Sequence, residues 1–231
     1  MNYRLLLFAL ILISGCKTTS VSTDLTTAFI GTYTRTEGHV DGQADGIYRV
    51  SLNPRTGEVS GPVTVATTTN PSFLRLSNDK RNLYAVSELA RGDEPTGFIH
   101  AFRVEGETLV ELNKLPTHGK APCHVELDKT GEVVIAANYV GGVATVYRRK
   151  GDGSLQETDR FTVSEEQKAG KSSWLHSANV SPDNKLVAMA DKGLDRIWLF
   201  RLDPAAGKLT PLPQPWVQFA DGDGPRHATW S

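Results

Sequence analysis

The sequence lacks the residues and motifs on which several common protein classes depend. Two cysteines in 231 residues are too few for a disulfide scaffold or a four-ligand zinc ribbon. The 25 basic and 26 acidic residues leave no basic excess, so charge gives no case for nucleic-acid binding. There is no Gly-x-Ser-x-Gly elbow, no Walker loop and no His-Glu-x-x-His motif. The 21 glycines and 12 prolines that remain favour a turn-rich, largely β protein.

The N-terminus carries the features of an export signal. Arg4 precedes an apolar run over residues 5–13, which is too short to span a bilayer comfortably. The run leads into Ile13-Ser14-Gly15-Cys16, which resembles a bacterial lipobox, the motif whose cysteine is lipidated and becomes the mature N-terminus. An ordinary secretory signal with a chance cysteine is the alternative.

We therefore expect a signal peptide over residues 1–15, followed by a lipidated Cys16 and a polar tether over residues 16–27. Such a chain is an exported lipoprotein on the periplasmic face of a membrane, which it contacts through its lipid only. The residue after the cysteine is Lys17 and not the Asp that would favour retention. In this respect the sequence resembles lipoproteins that are sorted to an outer membrane. Cys123 then has no partner for an intrachain disulfide and is expected to be an isolated buried thiol.

A repeat of about fifty residues organises the rest of the chain. Four similar segments follow one another at steps of 51 or 52 residues: Asn70-Pro71-Ser72-Phe73-Leu74, Ala121-Pro122-Cys123-His124-Val125, Trp174-Leu175-His176-Ser177-Ala178 and Gly224-Pro225-Arg226-His227-Ala228. Each of the first three is followed by a polar turn and then by alternating strands. No stretch has a sustained helical apolar face. The pattern predicts an all-β propeller of four-stranded blades, whereas a β-sandwich explains the strands but not the even step.

Sixteen strands are predicted, and the first of them is the second strand of a blade. The opening repeat has strands at residues 29–33, 47–52 and 59–66, and the next repeats have small-residue strands at residues 83–88, 133–139 and 186–191. The sixteenth strand is predicted at residues 226–230, as the first strand of a further blade. We place the propeller at residues 28–231.

The propeller geometry predicts where chemistry can occur. Inner strands line the axis, so equivalent positions of successive blades meet in one pocket. The repeated segments supply His124, His176, Arg226 and His227, and the strand ends supply Glu88, Asn138, Tyr139 and Asp191. Histidine, arginine and carboxylate together suit hydrolysis of a polarised carbonyl, because a base can deprotonate water while a cation stabilises the oxyanion.

Each of these residues also has a simpler explanation. Glu88 or Asp191 could cap turns or pair with Arg75 or Lys192, and Asn138 could belong to a turn. His124, His176 and Asp191 could together hold a metal, but no two of them have the short sequence spacing that is typical of metal ligands. We therefore predict no metal and no other cofactor.

Several of these segments resemble one known family. They are residues 29–34 (Phe-Ile-Gly-Thr-Tyr-Thr), 136–143 (Ala-Ala-Asn-Tyr-Val-Gly-Gly-Val), 175–179 (Leu-His-Ser-Ala-Asn), 190–197 (Ala-Asp-Lys-Gly-Leu-Asp-Arg-Ile) and 222–227 (Gly-Asp-Gly-Pro-Arg-His). Together they are similar to the lactonase family of seven-bladed propellers. That family includes the cycloisomerase-type 6-phosphogluconolactonases and resembles the carboxymuconate cyclases.

The resemblance implies hydrolysis of a sugar lactone, with a small-molecule lactone or acidic sugar as the partner. Arg226 would clamp the anion and oxyanion, His176 or His227 would be the base, and Glu88 would orient or share protons. His124, Asn138, Tyr139 and Asp191 would contact the substrate. The predicted export signal fits poorly with a cytosolic sugar phosphate as substrate. The resemblance therefore leaves open whether the substrate is a different lactone. The alternatives are a carboxymuconate-type cyclase and a non-catalytic binding propeller displayed at the membrane.

A seven-bladed protein of this family would be longer than the present sequence. Residues 28–231 hold about four repeats, whereas a seven-bladed protein needs about three more. We expect a fragment or a C-terminally truncated chain, with a four-bladed closed propeller as the alternative.

Overall fold

The computed structural model describes residues 25–231, so the predicted signal peptide, Cys16 and most of the tether lie outside it. The described residues form fifteen strands and one short helix. The strands build four antiparallel sheets, and within each sheet consecutive strands are hydrogen-bonded neighbours. This succession of small meandering sheets confirms the predicted all-β blade architecture.

The first blade has three strands and the next three blades have four each. Blade 1 contains β1 (Thr26–Ile30), β2 (Gly46–Leu52) and β3 (Val59–Thr67). Blade 2 contains β4 (Leu74–Leu76), β5 (Asn82–Ser87), β6 (Phe98–Glu105) and β7 (Thr108–Pro116). Blade 3 contains β8 (Lys120–Leu127), β9 (Val133–Val140), β10 (Val143–Arg149) and β11 (Leu155–Thr162). Blade 4 contains β12 (Leu175–Val180), β13 (Leu186–Asp191), β14 (Arg196–Asp203) and β15 (Lys208–Gln218).

The helix, α1 (Glu165–Lys168), connects blades 3 and 4 and has only four residues. In the part of the chain described, no helix combines the length and apolar character needed to cross a membrane.

Two boundaries differ from the sequence prediction. β1 begins at Thr26, two residues ahead of the expected start of the propeller. The strand predicted at residues 226–230 is absent, because no described strand pairs with this segment. Trp230 instead packs on blade 4, where its indole Nε1 donates to the Asn179 carbonyl at 3.0 Å.

The hydrophobic core lies between the blades. β5, β9 and β13 are buried on both faces, which their small and β-branched residues allow. Phe161 of blade 3 packs against two rings of blade 4, with ring centroids 5.3 Å from Trp198 and 4.8 Å from Phe200. Each sheet therefore depends on its neighbour to cover an apolar face.

The predicted polar turns form by side-chain capping. Ser77 Oγ donates to Asp79 Oδ1 at 2.6 Å, and Ser181 Oγ makes the same bond to Asp183 at 2.6 Å. In blade 3, Asp128 replaces this serine and accepts a hydrogen bond from the Val133 amide at 2.9 Å. Serine and aspartate suit these positions because their short side chains satisfy backbone amides that a tight turn leaves free.

Asn184 joins the turn of blade 4 to the turn of blade 3. Its Oδ1 accepts a hydrogen bond from the Lys129 amide at 2.8 Å, and its Nδ2 donates to Asp128 Oδ2 at 2.8 Å. Its backbone is left-handed, with φ 62°, as is that of Lys80 at the equivalent turn of blade 2, with φ 58°. Lys80 is exposed and its side chain makes no such contact to another blade within residues 25–231.

We predict that Asn184→Gly lowers the free energy of unfolding by about 1–3 kcal/mol, because two hydrogen bonds between blades are lost. Lys80→Gly is the matched control. It relieves the same left-handed backbone without removing such contacts, so its effect should stay within about 1 kcal/mol. Urea denaturation measures both, and equal effects would contradict this role of Asn184.

Candidate active site

One cavity of about 570 Å³ collects side chains from all four blades and from the segment after β15. This volume suits a small molecule of the size of a sugar. The lining residues that carry polar or aromatic side chains are Tyr33, His39, Ser72, Phe73, Glu88, Cys123, Tyr139, His176, Arg226 and His227. The structure thus brings together five of the residues predicted for the site: Glu88, Tyr139, His176, Arg226 and His227.

A repeated backbone turn delivers three of the lining residues. The residue before a proline is left-handed in three repeats, with φ of 44° at Asn70, 50° at Ala121 and 55° at Gly224. The residue after each of these prolines lines the cavity, and these residues are Ser72, Cys123 and Arg226. Positive φ is unfavourable for Ala but tolerated by Asn, so at Ala121 the surrounding fold must hold the turn.

A carboxylate occupies one side of the cavity. Glu88 Oε2 accepts hydrogen bonds from Tyr33 Oη at 2.8 Å and from Ser72 Oγ at 2.5 Å. His39 Nε2 lies 3.9 Å from Oε1, the other oxygen. Burial, and then the charge of Glu88, raise the pKa of Tyr33 well above its usual range, so this phenol stays protonated and remains a donor.

An imidazole pair occupies the other side. The ring centroids of His176 and His227 are 5.0 Å apart in an edge-to-face arrangement, and the Tyr139 ring lies 5.8 Å from His176. His176 is buried, and its Nδ1 has no hydrogen-bond partner among the described residues. Burial, followed by the positive charge of Arg226, lowers the pKa of His176 to about 4. The ring is therefore neutral at pH 7 and can accept a proton.

Arg226 is an exposed cation beside this imidazole. No ion pair or hydrogen bond joins its guanidinium to another residue within the described range. Its charge and that of Glu88 act on Cys123 in opposite directions, which places the thiol within electrostatic reach of both. Burial is the larger effect and raises the pKa of Cys123 to about 12, so the thiol stays protonated and is a poor nucleophile.

His124 lies behind the cavity wall, which differs from the predicted contact with substrate. Its ring packs on Phe73 at 4.5 Å between centroids, and its Nδ1 accepts a long hydrogen bond from the Ala178 amide at 3.4 Å. Burial, and then the charges of His227 and His176, lower its pKa to about 3. His124 is a neutral packing residue that supports the wall.

Asp191 also differs from its predicted place, because turn bonds engage both of its oxygens. Oδ1 accepts hydrogen bonds from the backbone amides of Trp174, Gly193 and Leu194 at 2.9 to 3.2 Å. Oδ2 accepts from Ser173 Oγ at 2.6 Å and from the Trp198 indole at 3.1 Å. Asp191 is fully buried and fixes the turn after β13, and it is not among the residues that line the cavity.

Asn138 is likewise not among the residues that line the cavity. It is fully buried, and its Nδ2 donates to the carbonyls of Thr117 at 3.0 Å and Val143 at 2.9 Å. This amide ties the end of β9 to the loop before β8. The turn chemistry considered as an alternative for Asn138 is therefore what the structure contains.

The sequence prediction missed several lining residues. Ser72 and Cys123 share the position that follows the repeated proline, so comparison with Arg226 could have found them. Tyr33 lies within the first segment that resembles the family, at residues 29–34. His39 lies in an irregular loop, and no repeat or motif marks it.

Within residues 25–231, no group of three or more His, Cys, Asp or Glu side chains is arranged so that it could hold a metal ion. The set of His124, His176 and Asp191 that was considered from sequence fails because Asp191 is committed to the turn.

A serine–histidine–glutamate chain occurs elsewhere, across β5, β6 and β7 of blade 2. Ser87 Oγ lies 2.9 Å from His100 Nε2, and His100 Nδ1 lies 2.7 Å from Glu111 Oε1. Ser87 is 1% exposed and donates to the Thr69 carbonyl at 2.7 Å, so a substrate cannot reach its hydroxyl. This chain is a structural link between strands.

The fold and the site define a propeller with a polar, histidine-rich axial cavity. Residues 27–231 match the family described as Lactonase, 7-bladed beta-propeller. The chain belongs to this lactonase family.

Several individual proteins and solved structures are similar to this chain. The chain is 31% identical over 208 residues to the 6-phosphogluconolactonase of Bacillus subtilis, covering 86% of this chain and 54% of that protein. It matches the crystal structure of a putative 6-phosphogluconolactonase from Bacteroides fragilis with a TM-score of 0.75 at 30% identity, covering 90% and 58%. It matches the periplasmic gluconolactonase of Pseudomonas aeruginosa with a TM-score of 0.74 at 28% identity, covering 88% and 57%. The chain spans about half the length of the curated relatives it matches.

We predict that His124 makes folding sensitive to mild acid. An unfolded histidine binds a proton near pH 6.5, whereas folded His124 binds one only near pH 3, so its contribution to stability is lost as pH falls between these values. Replacing it by glutamine should flatten the fall in unfolding free energy by up to about 1.4 kcal/mol per pH unit. Urea denaturation between pH 7 and 5 measures this, and parallel curves for His124→Gln and wild type would contradict it.

Proposed function

We propose that this protein hydrolyses a sugar lactone at the axial cavity. The observation that carries the proposal is the neutral, unpartnered imidazole of His176 beside the unpaired guanidinium of Arg226. The names of the relatives support it, since several are called 6-phosphogluconolactonase and one is called a gluconolactonase. These names favour hydrolysis over the cyclase alternative, and the convergence of base, cation and carboxylate favours catalysis over binding alone.

His176 acts as the general base. Its neutral ring takes a proton from a water molecule, whose oxygen attacks the lactone carbonyl carbon. His176 is preferred to His227 in this role because its ring lines the cavity with a lowered pKa, whereas His227 is exposed. Its Nδ1 is enclosed by protein, so the ring acts through its other nitrogen, Nε2. The edge-to-face contact with His227 limits the ring orientations that are open to His176.

Arg226 stabilises the oxyanion of the tetrahedral intermediate. Its guanidinium is always protonated and has no carboxylate partner within the described residues, so its charge is available to the reacting carbonyl oxygen. Collapse of the intermediate breaks the bond to the ring oxygen. That oxygen takes the proton held by His176, and the open-chain acid leaves with a free hydroxyl group.

Glu88 lies on the side of the cavity opposite His176, where two hydrogen-bond donors hold its carboxylate. Because Tyr33 and Ser72 both donate to Oε2, the carboxylate is fixed and Oε1 is left to accept a hydrogen bond from a substrate hydroxyl. A polyhydroxylated ring suits this wall better than an apolar one.

We predict that His176→Gln lowers kcat/KM for D-glucono-1,5-lactone by about 10²- to 10⁴-fold, the usual contribution of a general base. Arg226→Gln should lower it by about 10²- to 10³-fold, as for loss of an oxyanion donor. A pH-indicator assay corrected for spontaneous hydrolysis measures both.

The matched controls are His118→Gln and Arg201→Gln. Both residues are exposed and outside the cavity, so activity should stay close to wild type. Folded His176→Gln and Arg226→Gln proteins that are as active as these controls would contradict the proposal.

We also propose, from residues 1–16, that the protein is exported and anchored by lipid at Cys16. The name of the Pseudomonas aeruginosa relative, a periplasmic gluconolactonase, supports export of this kind of protein. Cys16→Ser should abolish palmitate labelling and release the protein from the membrane fraction of the producing bacterium. Unchanged labelling or fractionation would contradict the anchor.

A further inference from the structure

Lys192 lies beside Tyr139, a residue of the cavity wall, and is held by aromatic rings. It directly follows β13, and its Nζ donates to Tyr139 Oη at 3.4 Å. The same ammonium lies 5.3 Å from the Trp174 ring centroid and 5.8 Å from the Tyr139 ring centroid. Because Tyr139 lines the cavity, these contacts place the charge of Lys192 beside it.

No carboxylate neutralises this ammonium. Among the described residues, no ion pair includes Lys192, although the side chain is half-buried. Its neighbour Asp191 is fully committed to amides, a hydroxyl and an indole. Exposed cation–π contacts compensate only weakly for lost hydration of a charge, so the site gains when an anion reaches it.

Lys192 and Arg226 are close but distinct. A Cβ built at Gly224 would lie 3.4 Å from Lys192 Cγ, so the segment that leads to Arg226 passes along the lysine stem. The charges of both residues lower the pKa of His176, which puts both within electrostatic reach of the proposed base. Among the described residues that line the cavity, Glu88 alone carries a carboxylate, and this group is hydrogen-bonded to Tyr33 and Ser72. Two cations and one engaged carboxylate favour a substrate with negative charge.

The aromatic pair gives this corner its shape. The Tyr139 and Trp174 rings are stacked, with centroids 5.7 Å apart and an angle of 15° between their planes. Trp174 remains 37% exposed, which is unusual for so large an apolar side chain. The pair provides a rigid wall against which the ammonium is held, so Lys192 is pre-oriented for a ligand group.

We propose that Lys192, supported by Tyr139 and Trp174, binds an anionic group of the substrate that is separate from the lactone carbonyl. This inference rests on the proposed function: Arg226 faces the carbonyl, and Lys192 selects lactones that carry a second, negatively charged substituent. A phosphate ester and a carboxylate at the far end of the ring share the required chemistry.

Binding of three stable pyranoses tests the inference without turnover. Glucose, glucose 6-phosphate and glucuronate differ only in the group at carbon 6, and isothermal titration calorimetry compares their dissociation constants. Wild type should bind at least one anionic sugar about tenfold or more tighter than glucose, because charge-assisted hydrogen bonds are stronger than neutral ones. The tighter of the two anions identifies phosphate or carboxylate as the preferred group.

Lys192→Met removes the charge but keeps an unbranched stem against the rings, so the preference for the anion should disappear. Lys192→Arg should retain it. Lys185→Met is the matched control, since Lys185 is exposed and only approaches Asp183, at 3.6 Å. A wild type without any preference, or a Lys192→Met protein that keeps it, would overturn the inference.

The two proposals fail separately. A wild type that hydrolyses D-glucono-1,5-lactone but does not distinguish the anionic sugars from glucose contradicts the Lys192 subsite alone. A wild type that binds an anionic sugar through Lys192 but hydrolyses neither neutral nor charged lactones contradicts the proposed function alone.

Discussion

Packing of each sheet against the next is the interaction on which the rest of this structure depends. A meander such as β12–β15 has two apolar faces and cannot bury both by itself. Phe161, Trp198 and Phe200 fill the gap between blades 3 and 4, and Asn184 fixes the two turns at one end. Because the blades pack side by side through equivalent surfaces, the ends of their inner strands meet, and the cavity is a consequence of this packing.

The chemistry of the cavity follows from positive charges that no carboxylate neutralises. Burial keeps His124 and His176 neutral and keeps Cys123 protonated. These two imidazoles therefore do not attract an anion away from Arg226, and the thiol supplies no negative charge that would pair with it. Glu88 is held by Tyr33 and Ser72. The cations at Arg226 and Lys192 have no carboxylate partner in residues 25–231, whereas Arg49 and Arg149 of the blades are each paired with a carboxylate. A site of this kind is suited to carbonyl and anion chemistry and not to nucleophilic catalysis by the protein.

The sequence predicts the blades well because their signals are local. The fifty-residue period, the alternating strands and the Ser77 and Ser181 turns each depend on neighbouring residues, and all are present in the structure. The segment at residues 226–230 is different, because a strand needs a partner that its own sequence does not specify.

The site is less predictable because a repeat position fixes a strand end but not the direction of a side chain. Glu88, Tyr139, His176, Arg226 and His227 reach the cavity as expected. His124 holds a repeat position comparable to that of His176, and Asn138 and Asp191 lie near strand ends. Ring packing or backbone hydrogen bonds nevertheless turn these three side chains away from the cavity. His39 comes from a loop whose path depends on contacts with other blades.

The central claim is that neutral His176 is the base that activates water for lactone hydrolysis. The pH dependence of kcat/KM for D-glucono-1,5-lactone tests it most directly. Since a base acts only when unprotonated and the pKa of His176 is about 4, activity should fall with acid only near pH 4. In His176→Gln this acid limb should disappear together with most of the activity. An acid limb near pH 6.5, or an unchanged limb in His176→Gln, would contradict the account.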